Sequence, residues 1–142
     1  MGHVAGSELD GRTIPYDNSL EGLVSKKKDF IGKRSLSKTA YVAPDRLKDV
    51  GVVPLDKKTS IPEGSYLVVD AKAKLPNPKL GHVSASCWSI EYDNPFSLAI
   101  IKDGKKMIGQ KLFAMSPLKN KTIPVEIVSS HYVDPKGERV RS

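Results

Sequence analysis

The run Gly81-His82-Val83-Ser84-Ala85-Ser86-Cys87 constrains the fold more than any other stretch. At a period of two, Leu80, His82, Ser84 and Ser86 share one face and Gly81, Val83, Ala85 and Cys87 the other. The second face is small and mostly apolar, which suits a strand packed closely against another layer. Gly81 leaves room for a neighbouring backbone, and Ser84, Ala85 and Ser86 keep the strand thin. Such a row of small residues fits a tightly curved barrel. Within it, Cys87 is expected to be a buried, inert thiol.

The runs around it agree. Leu47–Leu55 reads as a strand with a bulge at Gly51, and Tyr66–Asp70 as a second after the turn signal Ile61-Pro62-Glu63-Gly64. Pro76-Asn77-Pro78 is a loop before the central strand. Phe96–Lys102 is apolar without alternation, which predicts burial on both faces. Asp103-Gly104 signals a tight turn, and Asn120 marks the turn between strands at Lys111–Met115 and Thr122–Val128. Six short strands at regular spacing predict a small closed barrel rather than an open sheet. Residues 45–130 are expected to build it, with Val68, Val83, Leu98 and Ile100 inward.

The N-terminal part lacks this pattern. Met1–Gly6 is a short apolar fragment, Ile14–Asn18 is a turn, and Ser19–Ser25 reads as a strand or turn before Lys26-Lys27-Lys28. Asp29–Leu36 opens like a helix, with Asp29 placed to cap the first turn. Gly32 keeps that helix short. The fold class is thus mainly β: a small six-stranded antiparallel β-barrel with an N-terminal arm and a short helix. Residues 1–44 form the arm and helix, and 45–142 the barrel.

Chemistry is sparse. The net charge of +7 over 142 residues favours anionic partners. Lysine far outnumbers arginine, and no aromatic array lies among the cations, so nucleic acid is not an expected partner. The single cysteine excludes an intrachain disulfide and a cysteine metal cluster. His3, His82 and His131 have no metal-site spacing, and Ser84 and Ser86 lack a nucleophile elbow. No phosphate loop is present. No catalytic residue and no metal ligand is assigned. Without a signal peptide or an apolar run of membrane-spanning length, a cytoplasmic chain with no membrane contact is the expectation.

Five segments carry a resemblance when taken together. They are Asp10–Thr13, Ser25–Lys33, Pro62–Gly64, Gly81–Cys87 and Asp134–Arg139, in order and in register. They resemble the C-terminal part of the alpha subunit of heterotetrameric sarcosine oxidases, itself similar to the aminomethyltransferase (glycine cleavage T-protein) family. The resemblance implies a three-lobed module that holds tetrahydrofolate, with a six-stranded barrel as its last lobe. It implies one-carbon transfer to folate after a flavin oxidises the N-methyl amine; flavin and NAD belong to the parent enzyme and not to this chain. The family's catalytic Asp and pterin-binding Glu fall upstream of the matched segment. The chain is therefore expected to be the terminal portion of a larger enzyme, inactive alone, with residues 1–44 as the remnant of the preceding folate-binding lobe. In the same family a basic residue holds the glutamate end of folate, and Lys28 is the match. A lysine there lacks the bidentate fork of arginine. Implied partners are the upstream part of the alpha subunit or other oxidase subunits, with self-association through the unpaired arm as a further expectation. The alternative is a non-enzymatic barrel that binds a protein partner or an anionic surface.

Overall fold

Each of the six runs forms a strand: β1 (Leu47–Pro54), β2 (Tyr66–Val68), β3 (Gly81–Ser89), β4 (Asn94–Lys102), β5 (Lys111–Ser116) and β6 (Lys121–Val128). The computed structural model describes residues 8–73, 76–139 and 141, so the apolar start at Met1–Gly6 lies outside the described residues. Every pairing is antiparallel, and the sheet closes in the order β1-β4-β3-β2-β5-β6, with β6 returning to β1. Closure leaves no long unpaired edge among the described strands.

Alternation fills the interior. Val50 and Val52 enter it from β1, Leu67 from β2, Val83 from β3 and Ala99 and Ile101 from β4. Leu112 and Ala114 of β5 and Ile123, Val125 and Ile127 of β6 complete the wall, with Ile61 from the β1–β2 connection. Each fully buried Val, Leu or Ile contributes about 1.5–3 kcal/mol through apolar burial.

The phase of this filling departs from expectation at three of four positions. Val83 points inward, but Leu98 and Ile100 do not. Leu98 packs with Val53 and Phe96 in a second cluster outside the barrel, and Ile100 is half-buried against the arm. Val68 is buried, yet it alternates with inward Leu67 and lies outside the interior cluster. β4 is buried on both faces from Asn94 to Ala99, as its unbroken apolar run predicts. A run apolar on both faces gives no phase.

The bulge also sits elsewhere. β1 and β4 pair without a shift from Leu47↔Lys102 to Val52↔Ser97, so Gly51 is not bulged. A Cβ at Gly51 would lie 2.6 Å from the Ser129 carbonyl oxygen and 2.7 Å from a Phe96 ring carbon, so its role is close packing. The register shift falls in β3, between Val83 and Ala85. One extra residue exchanges the two faces beyond it. Ser86 is therefore paired with Ser97, Oγ to Oγ at 2.9 Å, and Cys87 is opposite Phe96. Cys87 is exposed, contrary to the buried thiol expected from unbroken alternation.

The connections follow turn chemistry. Asn120 adopts φ 46° between β5 and β6. Asp103 adopts φ 54° and leads not into a two-residue turn but into a 3-10 turn at Gly104–Met107. In the arm, Ser19–Ser25 holds a 3-10 turn at Glu21–Leu23. The expected helix begins later, as a 3-10 segment at Lys33–Ser37, followed by a single α-helical turn, α1 (Thr39–Val42). Gly32 stands before it with φ 94°, which breaks continuity with Asp29. Asp29 caps nothing; its carboxylate takes the Lys33 ammonium at 3.1 Å.

Candidate functional site

The arm is fastened to the outside of the barrel by residues 8–20. Asp17 is the main fastener. Its carboxylate accepts the Ile14 N–H at 3.1 Å and the Arg46 Nε–H at 2.9 Å, and it also takes Arg46 Nη2. Its carbonyl accepts the Asp49 N–H at 2.7 Å, which ties the turn to β1. Arg46 then donates to the carbonyls of Ala40 at 3.1 Å and Arg12 at 2.8 Å and lies over the Tyr41 ring. Its guanidinium is held further toward the charged form by the Asp17 carboxylate, against a smaller opposite push from burial.

A second fastener is Glu8, which is buried and accepts the Ser84 hydroxyl at the β3 bulge. The same hydroxyl lies 3.1 Å from the Leu98 carbonyl oxygen. Asp10 accepts Arg12 through its backbone N–H at 2.8 Å and its guanidinium Nη2 at 2.7 Å, and the Thr13 hydroxyl at 3.0 Å. The Arg12 hydrogen bonds, more than any other contact, lower the Asp10 carboxyl to about 2.

These groups line a cleft of 470 Å³ together with His82 and Ile100. The Asp10, Asp17 and Arg46 side chains are engaged within the chain. The cleft is a joint between arm and barrel rather than a paired acid and base. Among the described residues, no group of His, Cys, Asp and Glu is placed to hold a metal ion.

A second groove, of 540 Å³, runs between the β3–β4 hairpin and residues 130–133. Tyr132 stacks on Phe96, with centroids 4.7 Å apart, and tilts against Tyr92. Asn94 Nδ2 donates to its hydroxyl at 3.2 Å. Further along, Arg139 clasps Glu91 through both terminal guanidinium nitrogens, which lowers the carboxyl and raises the guanidinium. Cys87, Trp88 and His131 also line this groove.

Lys28 lies in neither place. It is exposed at the end of a turn in which its N–H donates to Ser25 Oγ at 3.0 Å. The Lys33 ammonium reaches back to the Lys28 carbonyl at 3.0 Å and the Lys26 carbonyl at 3.5 Å, fixing the lysine turn from inside. Lys28 borders a groove of 480 Å³ with Leu23, Phe30, Ile31 and Leu36, and another with Tyr16 and Val24. The histidines are not brought together: His82 lines the cleft, His131 the hairpin groove, and His3 lies outside the described residues. Sequence reasoning missed Glu8, Asp17 and Arg46. Asp17 had a local signal in its turn; its pairing with Arg46, 29 residues on, had none.

No protein-family model matches the sequence. The chain is 32% identical over 140 residues to the sarcosine oxidase subunit alpha of Rhizobium meliloti (strain 1021), which covers 98% of the chain. It is 35% and 36% identical over 138 residues to the alpha subunits of two Corynebacterium strains, covering 96% of the chain. It spans 14% of the length of each of these relatives. Among solved structures, the glycine cleavage system aminomethyltransferase T from Bartonella henselae superposes on 91% of the chain and 34% of its own, with a TM-score of 0.68 at 22% identity. That likeness establishes a shared fold. The chain is a homologue of one segment of the sarcosine oxidase alpha subunit, built on a barrel that aminomethyltransferase T shares.

Proposed function

We propose that this chain is the C-terminal folate-module portion of a sarcosine oxidase alpha subunit-like enzyme, which demethylates sarcosine oxidatively and passes the one-carbon unit to tetrahydrofolate. The observation that carries this reading is 32–36% identity across 96–98% of the chain. The chain's own contribution is narrow. Tetrahydrofolate, when bound, accepts the one-carbon unit, and the described residues fit only its carboxylate end. Lys28 and its lysine neighbours are exposed cations on a turn fixed from within by Lys33. They attract a glutamate tail by long-range charge, without the bidentate geometry of arginine. The pterin end finds no match: of the cleft carboxylates, Asp17 and Glu8 serve the arm–barrel joint and Asp10 holds Arg12. No step of the reaction is assigned to this chain, and no flavin or NAD contact. Residues 1–44 are the remnant of the preceding folate-binding lobe, and the partner is the upstream part of the alpha subunit or another oxidase subunit. No helix among the described residues is long and apolar enough to cross a membrane.

Calorimetric titration of tetrahydrofolate tests this, with the chain alone and with the rest of an alpha subunit added, at low and moderate salt. The chain alone should bind weakly, and binding should fade as salt screens the lysines. Tight binding should need the complex, and Lys28→Gln should weaken it about two- to fivefold, as for an exposed ion pair. Tight, salt-independent binding by the chain alone would overturn the assignment. A barrel that served only as an anionic-surface binder would show no gain on adding the upstream polypeptide.

A further inference from the structure

We infer that one end of the barrel docks on an anionic lipid surface. Strand direction defines that end. β1 runs toward it and β6 starts from it, with Pro54 opposite Val125. β3 reaches it at Ser89, which pairs with Asn94, and β5 at Ser116, which pairs with Lys121. Three connections therefore meet there: the start of the β1–β2 loop, the β3–β4 turn at 90–93 and the β5–β6 turn at 117–120. The Leu55 N–H donates to the Pro124 carbonyl at 3.0 Å and holds the first of these beside β6. The arm is tied elsewhere, at Asp49 near the start of β1.

Apolar side chains stand at these tips. Leu118 is 100% exposed and Ile90 93%, the barest large apolar residues of the barrel among those described. Leu55 and Trp88, at the same end, are exposed as well. Turns in water favour Gly, Asn, Asp and Ser, so neither tip gains from an apolar residue there. The Trp88 indole N–H stays bonded to the Asp93 carboxylate at 3.3 Å while the residue faces solvent, an amphipathic arrangement suited to a membrane interface. Charge selects lipid. Lys57, Lys58, Lys119 and Lys121 are exposed at this end. Of the acidic groups beside them, Asp56 is engaged by its own turn, Glu91 by Arg139 and Asp93 by Trp88. Cations around separate apolar tips match anionic headgroups over an acyl layer. A protein partner would need a socket for each tip, whereas a bilayer yields wherever a tip enters. The sequence predicts no membrane contact because it holds no apolar span; the fold assembles this surface from three separate turns, which no span records.

The experiment uses the full chain and vesicles of phosphatidylcholine, alone or mixed with an equal part of phosphatidylserine. Binding is followed by co-sedimentation and by the emission of Trp88, the chain's single tryptophan. The inference expects binding to the mixed vesicles, a blue shift of Trp88 and quenching by brominated acyl chains. Binding should weaken as salt screens the lysines. Leu118→Glu and Ile90→Glu should each weaken it at least about tenfold, and Lys119→Gln about fivefold. Leu118 and Ile90 are almost fully exposed, so both variants should keep the thermal midpoint of the parent chain. Lys102→Gln, at the other end of β4, should change binding by less than about twofold. The parent chain alone gives the Trp88 signal, so the test stands even where a variant does not fold. No binding to the mixed vesicles would overturn the inference. So would binding that Lys102→Gln weakens as much as Lys119→Gln with Trp88 emission unshifted, the mark of adsorption by net charge alone.

Discussion

A methyl group at Gly81 would have nowhere to go. Its Cβ would lie 1.9 Å from the Ile100 carbonyl oxygen and 2.7 Å from the Ile101 Cα, both backbone atoms. Neither can rotate aside, so β3 and β4 would have to separate. Gly81→Ala should therefore destabilise the chain by about 3 kcal/mol, the upper range for overpacking, read as a fall in the urea midpoint. A Cβ at Gly11 would meet nothing within 4 Å, and Gly11→Ala should shift that midpoint little. Asp56 gives a residue-scale pH effect. Its carboxylate accepts the Thr59 hydroxyl and the N–H groups of Thr59 and Lys58, the two N–H contacts each at 3.0 Å, which lowers it from 3.8 to about 2. A carboxyl lowered on folding stabilises fully above its unfolded value and loses that contribution as pH falls through its folded value. Asp56→Ala should thus be less stable than the parent at pH 6. The gap should close between about pH 4 and pH 2. A gap that stays constant across that range would show that the carboxylate hydrogen bonds do not contribute.

At the scale of the element, the bulge in β3 decides what the strand presents. Alternation carries Val83 inward, the extra residue Ser84 interrupts it, and Cys87 emerges on the outer face beside Phe96. The thiol should therefore react fully with iodoacetamide in the folded chain, without denaturant, as followed by mass. Protection until unfolding would restore the buried reading. The six strands, the double burial of β4, the turn at Asn120 and the close approach at Gly81 were legible because each is written in neighbouring residues. The bulge was not. Its hydroxyl meets Glu8, 76 residues away, and no local pattern records a partner at that distance. The phase of β4 was hidden for a different reason, since Leu98 and Ile100 are as apolar as Ala99 and Ile101 but face another layer. Gly32 overrode Asp29 because its left-handed backbone ends the path a cap would need to start. Of the candidate residues, Lys28 is proposed through the resemblance alone, while Asp17 and Arg46 come together only in the fold.

The whole molecule divides into three zones by how each is held. The barrel strands enclose a continuous apolar interior and close on themselves, so their amides open only with global unfolding. Residues 8–20 are held by a few polar fasteners, chiefly Asp17 to Arg46 and Asp17 to the β1 backbone. Residues 21–42 have local turns, no buried residue within them and two exposed ties, Glu21 to Lys105 and the Ala40 carbonyl to Arg46, so they open most readily of the three in the isolated chain. Hydrogen exchange should show three tiers in that order, slowest in β1, β4 and β6. Asp17→Ala separates the zones. It removes the carboxylate from Arg46, which is 19% exposed in its side chain and so can turn toward water, limiting the loss to about 2 kcal/mol. That loss should fall on the arm: exchange at Asp49 and through residues 13–20 should rise to the rate of residues 21–42, while Val52, Ile101 and Ile127 keep the parent rate. The Ile14 N–H, deprived of its acceptor, should be among the first to exchange. If the core strands instead speed up in step with the arm, arm and barrel are one cooperative unit, and the arm is not a separately fastened element.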